Sequence, residues 1–189
     1  MKYTFQFLLL IIIFIISYNN SILSNITTIK STYDNRYYKV KNDENKYKKV
    51  EVLSKINEKV LQLIHIVNNM NEDNEHIKRL YNTYNPDSLS ENLDMDYTAY
   101  SLNKGQEISI CLIDINGNMI TDINTILFVV IHELAHIMTI EVGHPPIFWD
   151  NMKYLLKVAV DNNIYKYIDY ENEPTYYCGI HVNRTPYKK

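Results

Sequence analysis

The spacing of apolar residues along the chain changes character several times, and each change predicts a different element. Residues 5–16 are apolar except for Gln6, with no periodicity at all. Residues 17–49 are rich in Asn, Ser, Thr, Lys and Tyr and show no apolar rhythm, the pattern of a flexible tether. From Val50 onward Val52, Leu53, Ile56, Val60, Leu63, Ile64 and Val67 recur at the interval of one helical face, which predicts a helix over about 50–68. A second helix is predicted over about 72–84, stopped at Asn85-Pro86 because the residue before proline is pushed out of the helical region. Residues 97–102 and 107–113 read as strands joined by the Asn103-Lys104-Gly105 turn, and a third short strand is expected at Met119-Ile120 after Asn116-Gly117. Asp122 is placed to cap a long apolar helix over 123–142, with Gly143 as its left-handed terminator. Pro145 and Pro146 suit the first turn of a last helix running to about Asn162, and an extended segment is expected at 176–180.

These elements predict an α+β domain over 50–189, preceded by a hydrophobic helix at 1–18 and a tether at 19–49. The leader is short for a bilayer, since a spanning helix needs about 20 apolar residues and a signal peptide about 7–15. No small-residue cleavage site follows it. Signal peptide and uncleaved anchor therefore both stand, and both deliver the domain to a membrane or through it.

Charge separates the same regions. The net charge of −3 divides into seven basic against three acidic side chains over 30–49, and eleven basic against nineteen acidic from 50 to 189. The tether is basic and the domain acidic. The 17 Tyr and 4 Gly reflect an AT-rich coding bias rather than a function. Two cysteines, Cys111 and Cys178, are too few for a disulfide scaffold, although one bridge is compatible with an oxidising compartment.

Candidate chemistry lies inside the long apolar helix, at His132-Glu133-Leu134-Ala135-His136. Two histidines four apart project from one helical face, so both imidazoles can reach a single zinc ion at about 2.0–2.1 Å. Glu133 falls where a carboxylate can take a proton from a zinc-bound water. Chance places such a string in a chain of this length on the order of once in a hundred. A catalytic zinc also needs a third protein ligand and an open position. His144 is the best candidate, because it lies between Gly143 and Pro145, where the chain folds back. Asp150 and Glu171 are weaker alternatives, and Glu141 points away around the helix. His65, His76 and His181 stand outside any ligand spacing. Phe148 and Trp149 are expected to pack the last helix on the zinc helix, with a substrate-subsite role second to that, and Tyr176 or Tyr177 offers a phenol to a developing oxyanion.

The run Ile110-Cys111-Leu112, the stretch from Leu127 to His136, and Gly143-His144 with Phe148-Trp149 four and five positions later resemble the WLM-type metallopeptidases and the related SprT-like (Spartan) proteases. The likeness covers residues 80–165. It implies a zincin-like fold in which a zinc helix packs on a small sheet, one catalytic Zn²⁺ on His132, His136 and His144, and Glu133 as general base. The gap from the second to the third histidine, eight residues, is longer than those families usually have. They are best known for proteolysis of protein–DNA crosslinks, but an acidic domain without a zinc finger does not suggest nucleic acid as a partner. The expected function is a zinc-dependent endopeptidase acting on protein or peptide substrates, membrane-tethered or exported. The alternatives are a catalytically inactive zincin-fold binding module on a membrane and a DNA-dependent repair protease.

Overall fold

The computed structural model describes residues 11–12, 25–93, 99–102 and 107–189. The hydrophobic leader lies outside them except for Ile11 and Ile12, which are helical and exposed. The Asn103-Lys104-Gly105 turn and Tyr97-Thr98 also lie outside. Among the described residues no helix is long and apolar enough to cross a membrane.

The chain is an α+β protein, and its described residues from 25 onward form seven short strands and four α-helices. Strands β1 (Ile26–Lys30) and β2 (Tyr37–Lys41) form an antiparallel hairpin. Helices α1 (Lys46–Met70) and α2 (Glu75–Thr83) follow. A three-stranded sheet comes next, with β5 (Glu107–Ile110) at its centre, β3 (Leu89–Glu91) parallel to it and β4 (Ala99–Leu102) antiparallel. Helices α3 (Ile123–Met138) and α4 (Pro146–Asp161) then lead to a hairpin of β6 (Thr175–Tyr177) and β7 (Ile180–Val182).

Helix α3 is the centre of this arrangement. It packs on α1, α2 and α4 and on strands β4 and β5. Eleven of its sixteen residues are buried, which is why its apolar positions run nearly all the way round rather than in a stripe. Each fully buried Ile, Leu or Val there stabilises the fold by about 1.5–3 kcal/mol. The predicted N-cap is observed: the Asp122 side chain accepts from the Asn124 N–H at 3.0 Å.

The predicted tether requires correction. Its described part, 25–49, folds onto the domain as the β1–β2 hairpin and the first turn of α1. Tyr38 and Val40 alternate inward with Tyr37, Lys39 and Lys41 outward, a period of two too short to stand out from a polar tract. Buried polar groups fasten it. Lys49 is fully buried between Asp43 (2.6 Å) and Glu91 of β3 (2.7 Å), and the second Glu91 oxygen accepts from the Lys41 N–H at 2.6 Å. Tyr38 and Tyr84 both meet the side chain of Asn57, at 2.8 and 2.7 Å. A basic residue counted with the tether is thus a buried counter-ion of the sheet.

Two other expectations change. The strand predicted at Met119-Ile120 is a single bridge, Ile113 to Met119. The strand predicted over 107–113 ends at Ile110, and it is the central one of three, between β3 and β4.

Cys111, just after β5, and Cys178, at the turn of the C-terminal hairpin, form a disulfide. The Tyr177 hydroxyl donates to the Cys111 carbonyl at 2.6 Å. The C-terminal hairpin is therefore held to the end of β5 by a covalent bond and a hydrogen bond.

Candidate metal centre

The site begins with where α3 stops. The apolar run predicts a helix to Val142, but the last helical residue is Met138 and Thr139 is already extended, at φ −98° and ψ 127°. The carbonyls at the helix end find partners that stop propagation. Ala135 C=O accepts from both the Thr139 N–H (3.1 Å) and the Thr139 hydroxyl (2.8 Å). Met138 C=O accepts from the Arg79 guanidinium and from Nδ1 of His76 at 2.9 Å, so two side chains of α2 cap the helix. A cation there also complements the negative end of the helix dipole. Gly143 is left-handed, at φ +83°, as predicted, but it turns the loop ahead of His144 instead of terminating the helix.

The early stop resolves the long spacing to the third histidine. The chain leaves α3 three residues past His136, and the loop brings His144 back over the helix. His144 Nε2 faces His132 Nε2 at 3.1 Å. A ligand nitrogen of each of His132, His136 and His144 lies within 4.8 Å of the others. A tetrahedral ion with Zn–N bonds of 2.0–2.1 Å sets its ligand nitrogens about 3.4 Å apart, so this donor set fits zinc with small adjustments. Asp150, Glu171 and Glu141 are not in the cluster, and Glu171 instead accepts from Lys188 at 2.7 Å. His65 and His181 lie elsewhere on the surface, and His76 serves the helix end.

Phe148, fully buried, forms the floor. Its ring centroid lies 4.9, 4.4 and 4.6 Å from those of His132, His136 and His144. Trp149 departs from the packing role expected of it: it is 44% exposed and stacks on the outer face of His144 at 5.5 Å.

Electrostatics suit metal binding. Burial, with the neighbouring His136 and His144 adding to it, lowers the His132 pKa to about 3, so the imidazole is neutral and its lone pair available. Glu133, only 7% exposed, has its pKa raised to about 7 by burial. Tyr177 is buried with its phenol committed to Cys111, and its pKa is pushed up by that burial. Tyr176 is exposed and stacks on His181 at 4.8 Å. The predicted phenol donor is thus occupied in one case and paired with an outer histidine in the other.

The residues that stop α3 carried no signal recognised in the sequence. Thr139, Arg79 and Asn151 belong to no metal motif, and only the four-residue step from Ala135 to Thr139 hints at a hydroxyl folded back on its own helix.

No family model matches the chain, and no solved structure matches it. It is 34% identical to the uncharacterized protein R325 of Acanthamoeba polyphaga mimivirus over 165 residues, covering 85% of this chain and 84% of that protein. It is 37% identical to the uncharacterized protein 042R of Invertebrate iridescent virus 3 over 70 residues, covering 37% of this chain and 43% of the relative.

Proposed function

The chain belongs to the family of the mimivirus protein R325, a kinship that names no chemistry, and from the site itself we propose that it is a zinc-dependent endopeptidase of zincin-like fold. The observation that carries this reading is the convergence of three histidine nitrogens beside a buried glutamate on one helix. His132, His136 and His144 would hold one Zn²⁺. Bound there, zinc supplies Lewis acidity toward a peptide carbonyl and lowers the pKa of water at its open position.

The protein's own groups do the rest. Glu133 takes the proton of the attacking water and returns it to the departing amine, and a carboxylate with a pKa near 7 is suited to both transfers near neutrality. Phe148 keeps the ligand rings in place from below. The described edge strand β4, which packs against α3, offers backbone groups for an extended substrate.

The resemblance to WLM-type and SprT-like proteases supports the peptidase chemistry, and the acidic domain weighs against a DNA partner. The hydrophobic leader supports a membrane-anchored or exported protein, and the disulfide favours an oxidising compartment. The test is metal analysis of the full chain purified in detergent, with hydrolysis of an unfolded protein substrate. One zinc per chain and hydrolysis lost in Glu133→Gln with zinc retained are expected. A folded chain that takes up no zinc, or equal hydrolysis by the Gln variant, overturns the assignment.

A further inference from the structure

Between the end of α3 and α4 lies a buried polar pair, one member of it on α4, whose other buried residues are all apolar. Asn151, in the second turn of α4, is 6% exposed, and its amide donates to the Thr139 hydroxyl at 3.0 Å. Thr139 is fully buried, and the same hydroxyl donates to Ala135 C=O at 2.8 Å. A valine and a leucine would fill much the same space without desolvating an amide and a hydroxyl. Apolar contact tolerates sliding and rotation. A hydrogen-bonded chain sets one separation and one orientation.

The position of this chain in the fold gives that geometry a use. Ala135 precedes His136, and Thr139 is the first residue of the loop that carries His144. Asn151 lies just past the loop's other end, where α4 starts at Pro146. The chain Ala135–Thr139–Asn151 therefore closes the base of the 139–145 loop and ties it to the turn that bears His136. The Met138 carbonyl is held separately, by Arg79 and His76 of α2, so what this chain adds is the link from the loop base to α4. At the far side of the loop Gly143 has no atom within 4 Å of an added Cβ, so that side of its backbone faces open space.

We propose that Thr139 and Asn151 form a clasp that positions His144 as the third metal ligand. The inference rests on the zinc reading above and concerns residues outside the ligand set. Neither side chain touches the metal; they act through the placement of the loop.

The experiment measures zinc affinity of the full chain in detergent by competition with a chromogenic chelator. The variants are Thr139→Val with Asn151→Leu together, Thr139→Ser, and His144→Ala. Removing both side chains of the pair together leaves neither of them facing a lost partner, so the double apolar variant should fold with nearly unchanged thermal stability when metal-free. Its zinc affinity should fall about 10–100-fold, the usual effect of losing an outer support of a ligand. Thr139→Ser keeps the hydroxyl and should bind within about twofold of the parent. In the His144→Ala background the apolar pair should cost less than about twofold more, because the ligand it positions is gone. Wild-type affinity in the apolar pair, or an equal loss with and without His144, overturns the clasp while leaving the metal site standing. A wild-type chain that binds no zinc overturns both.

Discussion

Replacing Glu133 by Gln tests the burial of this carboxylate without any assay of activity. In the metal-free protein its pKa is raised from 4.5 to about 7, and the cause is burial alone. Between those values the unfolded chain has released the proton and the folded chain retains it. Stability then falls as pH rises, by about 1.4 kcal/mol per pH unit. The stability associated with protonated Glu133 is fully present below pH 4.5 and is lost as pH rises through 7. The total is about 3 kcal/mol. Glutamine has nearly the same shape and does not ionise, so the variant lacks this slope. His132 produces the opposite trend: its pKa is lowered from 6.5 to about 3, so its contribution is present above 6.5 and lost as pH falls toward 3. That contribution is common to wild type and variant and cancels in the comparison.

The measurement is urea unfolding of both proteins with chelator at pH 4, 5, 6, 7 and 8, followed by fluorescence of the single Trp149. The difference in stability should be near zero at pH 4 and grow to about 3 kcal/mol in favour of Glu133→Gln at pH 8. Saturating zinc should shrink the difference, because a nearby cation favours the ionised carboxylate. A difference independent of pH would refute the claim that Glu133 is a dry carboxylate, and with it the account of its basicity.

The buried ion group of the hairpin predicts that Lys49→Met alone destabilises by about 3–5 kcal/mol, because the buried Glu91 carboxylate loses its cation. Lys49→Met with Glu91→Leu should recover only part of that loss in the same urea titration, because Asp43 and the Lys41 N–H lose their partners. Gly143→Ala should cost about 1 kcal/mol in thermal or urea stability, the penalty of a left-handed Cβ, and no more, since an added Cβ meets nothing within 4 Å. Replacing Cys111 and Cys178 by serine should lower stability by about 2–5 kcal/mol, as expected for a bridge across 67 residues. Hydrogen exchange should show the greatest loss of protection in β6 and β7.

What could be read from the sequence divides along physical lines. Helices α1, α2 and α4 were legible because their apolar faces repeat over several turns, and α3 because its apolar run is long and begins at an Asp cap. The β1–β2 hairpin was hidden because two inward side chains, Tyr38 and Val40, are too few to form a pattern. Strand β3 is three residues long, and its parallel pairing with β5 depends on partners nineteen positions away. Local spacing carries no trace of such a contact.

The candidate ligand set shows the same division within a few residues. His132, Glu133 and His136 are related by helical geometry, so their spacing alone places them together. His144 depends on where the helix stops, and that is decided by partners from elsewhere: Arg79 and His76 of α2 on Met138 C=O, and Asn151 of α4 on Thr139. Had α3 continued to Val142, as its apolar residues suggest, four more residues at about 1.5 Å each would have carried the chain about 6 Å farther from His136. Too little loop would then remain to return His144 to His132. The apolar residues left over by the early stop are Ile140, 64% exposed, and Val142, 94% exposed. Their exposure is the cost of a loop shaped for its histidine rather than for burial. Because the helix ends at Met138, the eight residues from His136 to His144 are enough for His144 to return to His132.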